Sequence, residues 1–196
     1  MVYSSSSSQI TATLLSPDET ALATGSRGGT IKIHNLNASA AADDVAAVRP
    51  TILHGHGNAV TSLSYHPFDN CILSSGGADA SVRVWDVRCH NGVRLFRTSA
   101  AATRRRGNAQ RCRSSTGGNS SCGDAVDGVT FSPDGRWVTS WSRDDDGVIN
   151  VWDVVAGKRL KEIEASSSTC CGGVREVVYH PRERLLAGGG GGGGRG

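Results

Sequence analysis

Apolar and polar positions fall into one order several times along this chain, and the fullest copy runs from Thr51 to Asp86. Thr51-Ile52-Leu53 is a short apolar run, followed by Gly55-His56 and a turn at Gly57-Asn58. Ala59 to Tyr65 carries Val60, Leu63 and Tyr65 as its large residues and reads as a strand with one mostly buried face. His66-Pro67-Phe68-Asp69 puts proline at the second position of a turn, where its fixed φ already fits. Cys71 to Ser75 is the next expected strand, with Cys71 as a small core residue, and Gly76-Gly77-Ala78-Asp79 breaks it into a tight hairpin. From Ser81 to Trp85 the chain alternates, with Val82 and Val84 on one face and Arg83 and Trp85 on the other.

The same order returns elsewhere. Ser16-Pro17-Asp18, Ser132-Pro133-Asp134 and His180-Pro181-Arg182 join His66-Pro67-Phe68 as proline turns, which uses four of the 5 prolines. After the first three, the strand pattern closes on His34-Asn35, Trp85-Asp86 and Trp152-Asp153, at nearly the same distance each time. Ile31 and Ile33 alternate with Lys32 and His34, as Ile149 and Val151 do with Asn150 and Trp152. Each unit therefore predicts three or four short antiparallel strands, a small twisted sheet. Such a sheet cannot bury both faces alone and must stack on its neighbours. The expected fold is all-β, an incomplete propeller of about three and a half to four blades. Stacks of this kind usually bind partners rather than do chemistry.

Gly55-His56, then Asp79, then Trp85-Asp86 resemble the blade signature of WD-repeat proteins. The resemblance implies a buried hydrogen-bonded tetrad of His56, Ser75, Asp79 and Trp85. A buried tryptophan needs a partner for its N–H and a buried carboxylate must be paired, so the four side chains satisfy one another. In the third unit the matching positions are Ser140, Trp152 and a turn acid, Asp144 or Asp146, with Cys122 where the histidine is expected. The first unit has Gly28 at the Asp position and His34 at the Trp position, so its tetrad is lost and its blade is expected to be weaker. In the fourth, Cys170 takes the histidine position.

Composition adds the linkers. The prolines at 17, 67, 133 and 181 lie farther apart than the ~40–45 residues of a WD blade. The expected division is a disordered Ser-rich segment at 1–9, blades one and two at 10–97 with an Ala-rich linker at 37–50, and a disordered Arg/Ser/Gly-rich insertion at 98–121. Blades three and a partial four follow at 122–187, and a Gly-rich tail at 188–196. Charge is uneven. Val87 to Gly123 holds eight arginines and no acid, while elsewhere acids outnumber basic residues 18 to 13. No basic-then-apolar leader and no stretch approaching the ~18 apolar residues of a membrane span is present, so a soluble intracellular chain is expected. The cysteines form no Cys-x-x-Cys pair, and Cys170-Cys171 are adjacent, which argues against a disulfide framework.

Candidate chemistry is sparse. His54, His56 and Cys71 lack the fourth ligand and the frame of a metal site. Cys122 has no base at a defined spacing, and Asp144-Asp145-Asp146 reads as a solvated hairpin tip. No catalytic residue, cofactor or metal is expected. The sharp surface feature is Arg104-Arg105-Arg106 with Arg111 and Arg113, a candidate arm for a polyanion such as acidic tubulin tails. Phe96 is its only aromatic neighbour, which argues against nucleic acid as the partner.

Three stretches are similar to consecutive blades of the katanin regulatory subunits, a WD-repeat family. They are Val60 to Pro67 with Trp85-Asp86-Val87-Arg88; Ala125 to Trp137 with Val151 to Lys158; and Val174 to Pro181 with Leu185-Leu186-Ala187. That resemblance implies a non-catalytic targeting subunit that brings a microtubule-severing ATPase to microtubules or centrosomes, in the cytoplasm. The C-terminal region with which that family binds the ATPase has no counterpart here. A generic adaptor is the alternative, either a ubiquitin-ligase substrate receptor or a nuclear or RNA-associated scaffold using the arginines. WD propellers close with about seven blades, within the ~4–8 of propellers in general. A fragment is therefore expected, with oligomerisation or further blades completing the ring.

Overall fold

The computed structural model describes residues 9–37, 49–89, 91–98, 125–142, 148–164, 174–180 and 186–190. Strands β1 (Ile10–Leu15), β2 (Ala21–Ser26), β3 (Thr30–Asn35) and β4 (Thr51–His54) form one antiparallel sheet in that order. A second holds β5 (Val60–Tyr65), β6 (Ile72–Gly77), β7 (Ser81–Asp86) and β8 (Asn91–Arg97), and a third β9 (Gly128–Phe131), β10 (Trp137–Trp141), β11 (Val148–Asp153) and β12 (Lys158–Glu164). Strands β13 (Val174–Tyr179) and β14 (Leu186–Gly190) pair as a further two-stranded sheet. The first strands of successive sheets lie side by side, β1 against β5, β5 against β9 and β9 against β13. They line the centre, and β4, β8 and β12 form the rim.

Three details differ from the sequence expectation. Thr51-Ile52-Leu53 does not open the second blade but closes the first, with Leu53 opposite Ile31 and Thr51 opposite Ile33. The repeat in the sequence is thus offset from the repeat in space, and each unit begins on the rim of the blade before it. Cys71 lies in the turn ahead of β6 and is half-buried; its carbonyl, not its sulfur, is used, accepting the Val87 N–H at 2.8 Å. Strand β14 runs through Gly188–Gly190, residues expected to begin a tail, and pairs them with Val177, Glu176 and Val174. A β-ladder is made by backbone groups, so glycine joins it without a side chain to contribute.

The second and third blades turn different faces to their two neighbours. Ala23, Ile31, Ile33 and Leu53 of the first pack on Val60, Leu63, Tyr65, Leu73 and Trp85 of the second. Val82, Val84 and Phe96 on the other face of the second pack on Val126, Val129, Phe131, Val138 and Trp152, and Phe96 stacks on Trp152 at 5.1 Å. Ile149 then meets Val174 and Val177. The core lies between sheets, which is why no single unit is self-sufficient. Close approach is permitted by Gly25 and Gly76, equivalent positions in β2 and β6. A Cβ there would come 2.6 Å from Val60 and 2.7 Å from Val126. Hydroxyls stitch the inner strands: Thr11 Oγ1 donates to the Val60 carbonyl and Thr61 Oγ1 to that of Val126, each at 2.5 Å. Ser62 and Ser64 accept the Val129 and Phe131 N–H groups.

Two proline turns are closed by their own serines. Ser16 Oγ accepts the N–H groups of Thr20 and Ala21, and Ser132 Oγ accepts that of Trp137. In the second blade His66 takes the serine's place, accepting the Phe68 N–H at 3.2 Å and packing edge-on against Phe131 at 5.3 Å.

Candidate functional site

The second blade carries the most developed polar site. The β4–β5 connection delivers His56, β6 delivers Ser75, the β6–β7 hairpin delivers Asp79, and β7 delivers Trp85. Trp85 Nε1 donates to Ser75 Oγ at 2.8 Å, and Ser75 Oγ lies 2.7 Å from His56 Nε2. His56 Nδ1 faces both Asp79 oxygens, at 3.0 and 3.1 Å. One proton arrangement satisfies every group: indole N–H to Ser75, Ser75 O–H to Nε2, and Nδ1–H to the carboxylate. Sequence reasoning missed a fifth member, Ser81, whose hydroxyl donates to Asp79 at 2.7 Å and lies 3.1 Å from Nδ1. The Gly57 N–H closes the ring on Asp79 at 2.8 Å. The signal available was the Asp79-x-Ser81 spacing, in which a serine two residues past a turn acid meets it across the hairpin.

Burial pushes the His56 imidazole below its ordinary pKa, against the Asp79 hydrogen bond that favours the charged form. His56 is therefore the neutral donor in a hydrogen bond to a carboxylate, not half of an ion pair. Burial alone would raise Asp79, but the Ser81 hydroxyl, the Gly57 N–H and His56 together hold it below its usual value. The order Asp–His–Ser matches a nucleophilic triad. Here Ser75 is 0% exposed and its oxygen already accepts the Trp85 N–H, so no substrate reaches it. The network is a latch that fixes the linker, the hairpin and the strand of one blade.

Among the described residues the other blades show only part of it. In the third, Trp152 Nε1 donates to Ser140 Oγ at 2.9 Å; Asp144, Asp146 and Cys122 lie outside the described residues. In the first, His34 stands opposite Leu22 where Trp85 stands opposite Leu73, and Ser26 closes the hairpin by bonding both the N–H and the carbonyl of Thr30. Cys170 of the fourth also lies outside the described residues, as do Arg104, Arg105, Arg106, Arg111 and Arg113. The ends of that basic stretch are placed, however. The Thr98 N–H and hydroxyl each donate to the Ala80 carbonyl at 3.0 Å, and the Val126 N–H donates to Gly77 O at 3.1 Å. Thr98 and Val126, on either side of that stretch, are thus both held by one hairpin, the one that carries Asp79.

Stacked four-stranded antiparallel blades with inner strands side by side define a β-propeller architecture. The family model "WD domain, G-beta repeat" matches residues 1–35, 48–86 and 110–153, and the chain belongs to that WD-repeat family. It is similar to Elongator complex protein 2 of Schizosaccharomyces pombe, 31% identical over 126 residues, covering 64% of this chain and 15% of that protein. Ribosome biogenesis protein ytm1 of Emericella nidulans is 39% identical over 72 residues (37% of this chain, 14% of that one). Polycomb protein esc of Drosophila virilis is 28% identical over 75 residues, 38% of this chain and 16% of that one. These matches span 14% to 16% of each relative's length. A chain in a crystal structure of the mitotic checkpoint complex superposes with a TM-score of 0.61 at 22% identity, over 88% of this chain and 43% of that chain, a likeness of fold.

Proposed function

We propose that the chain is a non-catalytic docking subunit that targets a katanin-like microtubule-severing ATPase to microtubules in the cytoplasm. The carrying observation is how its polar side chains are used. His56, Ser75, Asp79 and Ser81 are consumed in the blade latch, while the stretch between Thr98 and Val126, two residues held by one hairpin, carries Arg104, Arg105, Arg106, Arg111 and Arg113 against one acid, Asp124. That division, a latched blade and a separate run of arginines along the chain, suits binding. The katanin-type reading rests on the resemblance of Val60–Pro67, Ala125–Trp137 and Val174–Pro181 to consecutive blades of that family. The arginines at 104–106, 111 and 113 suit the acidic tails of tubulin.

A second reading, a generic adaptor in another assembly, is favoured by the relatives named above, which include an Elongator complex protein and a ribosome biogenesis protein and no katanin subunit. Co-sedimentation with microtubules separates the two. Pelleting with polymerised tubulin is expected. A soluble, folded chain that does not pellet, or that binds single-stranded RNA more tightly than tubulin, contradicts the microtubule reading and favours the adaptor.

A further inference from the structure

On the rim between the first two blades stands a half-buried cation for which no acceptor is seen among the described residues. Arg83 shares a face of β7 with Trp85, and its guanidinium lies 5.8 Å from the centre of that ring. It presses on the β4–β5 connection: a Cβ at Gly55 would come 2.8 Å from its Nη1 and 2.8 Å from the Trp85 ring. Its Nε is buried without a hydrogen-bond partner. Among the described residues no carboxylate makes an ion pair with it. Across the ladder it faces Leu95 of β8, which is 46% exposed, and Val93 in the adjoining bulge is 50% exposed. β8 also carries Arg94 and Arg97 and no acid.

A buried charge is ordinarily paired, and stacking on an indole leaves the N–H edges of the guanidinium unsatisfied. Its planar fork suits a carboxylate. Leu95 and Val93 stand two residues apart on an outermost strand, the spacing at which an extended peptide presents side chains of one face. We infer that this rim surface docks an acidic, apolar segment of a partner protein, with a carboxylate on Arg83 and an aliphatic side chain on Leu95. The inference rests on the docking reading above and adds a surface separate from the arginine-rich insertion.

The test is fluorescence anisotropy of the whole chain with a short labelled peptide of alternating glutamate and leucine, against the same peptide with glutamine for glutamate. The glutamate peptide is expected to bind, with about tenfold or greater weakening for the glutamine peptide and for Arg83→Gln, the loss of a charge-assisted hydrogen bond. Leu95→Ser is expected to weaken binding too, and it serves as the second variant if Arg83→Gln melts early. Equal affinity for both peptides, or no effect of either substitution, overturns the inference. So does self-association of the chain that Arg83→Gln abolishes, since the occupant is then a second copy. Microtubule pelleting of the same variants keeps the readings apart: failure of the peptide test with pelleting intact removes the rim docking surface alone.

Discussion

Replacing Ser75 by alanine removes one oxygen that serves two buried partners, and the structure sets the size of the effect. The Trp85 N–H, 2.8 Å from Ser75 Oγ, loses its acceptor, and His56 Nε2, 2.7 Å away, loses its donor. Ser75 is 0% exposed and Trp85 2%, so water does not replace the hydroxyl without disrupting the packing. Each orphaned group costs about 1–3 kcal/mol, which puts Ser75→Ala at roughly 2–6 kcal/mol. Against a typical total of about 5–15 kcal/mol that is a large fraction. For a chain of this size it corresponds to about 2–4 °C of melting temperature per kcal/mol. The assay is urea unfolding followed by tryptophan fluorescence, with the m-value compared so that a shift in midpoint reports stability alone. A loss below about 0.5 kcal/mol at unchanged m, the size of an ordinary surface substitution, would refute the latch.

The remaining predictions use the same scaffold. Trp85→Ala should cost about 3–5 kcal/mol as a core aromatic deletion, and His34→Ala much less; equal losses in urea unfolding would show that the two positions are not equivalent sites. Because the fold lowers the pKa of His56 below 6.5, the unfolded chain takes up a proton that the folded one refuses. Stability should therefore be full above that value and fall as pH drops below it toward the lowered folded pKa. A urea midpoint that rises on acidification through this window would reverse the sign. Gly76→Val should separate the second and third blades by driving a side chain into Val126, 2.7 Å from the Cβ position, and should lower the melting temperature.

The blade was readable because its chemistry is local. Proline turns, the alternation of Val82 and Val84 with Arg83 and Trp85, and the Gly55-His56 and Trp85-Asp86 pairs all sit within one unit. What the sequence hid depends on contacts between units. Thr51–Leu53 lies beside its own unit along the chain, yet it pairs with β3 of the unit before, a choice made by Ile31 and Ile33 across the ladder. Ser81 was hidden because a serine inside a strand reads as a surface residue until the hairpin folds it onto Asp79. Arg83 was legible only as a polar position opposite Val82. That its Nε is buried without an acceptor follows from the packing of Trp85 and Gly55 around it. Glycines 188–190 read as a tail because composition carries no record of backbone pairing.

The second blade's latch holds the fold while the arginines at 104–106, 111 and 113 are proposed to bind, and one comparison tests that division directly. The chain and a version lacking residues 99–121 are co-sedimented with microtubules at low and moderate salt, and both are melted. The neighbouring residues Thr98 and Val126 bond to Ala80 and Gly77 of a single hairpin, so the deletion should leave the melt almost unchanged while abolishing salt-sensitive pelleting. Pelleting that survives the deletion, or a deletion that unfolds the blades, would contradict it.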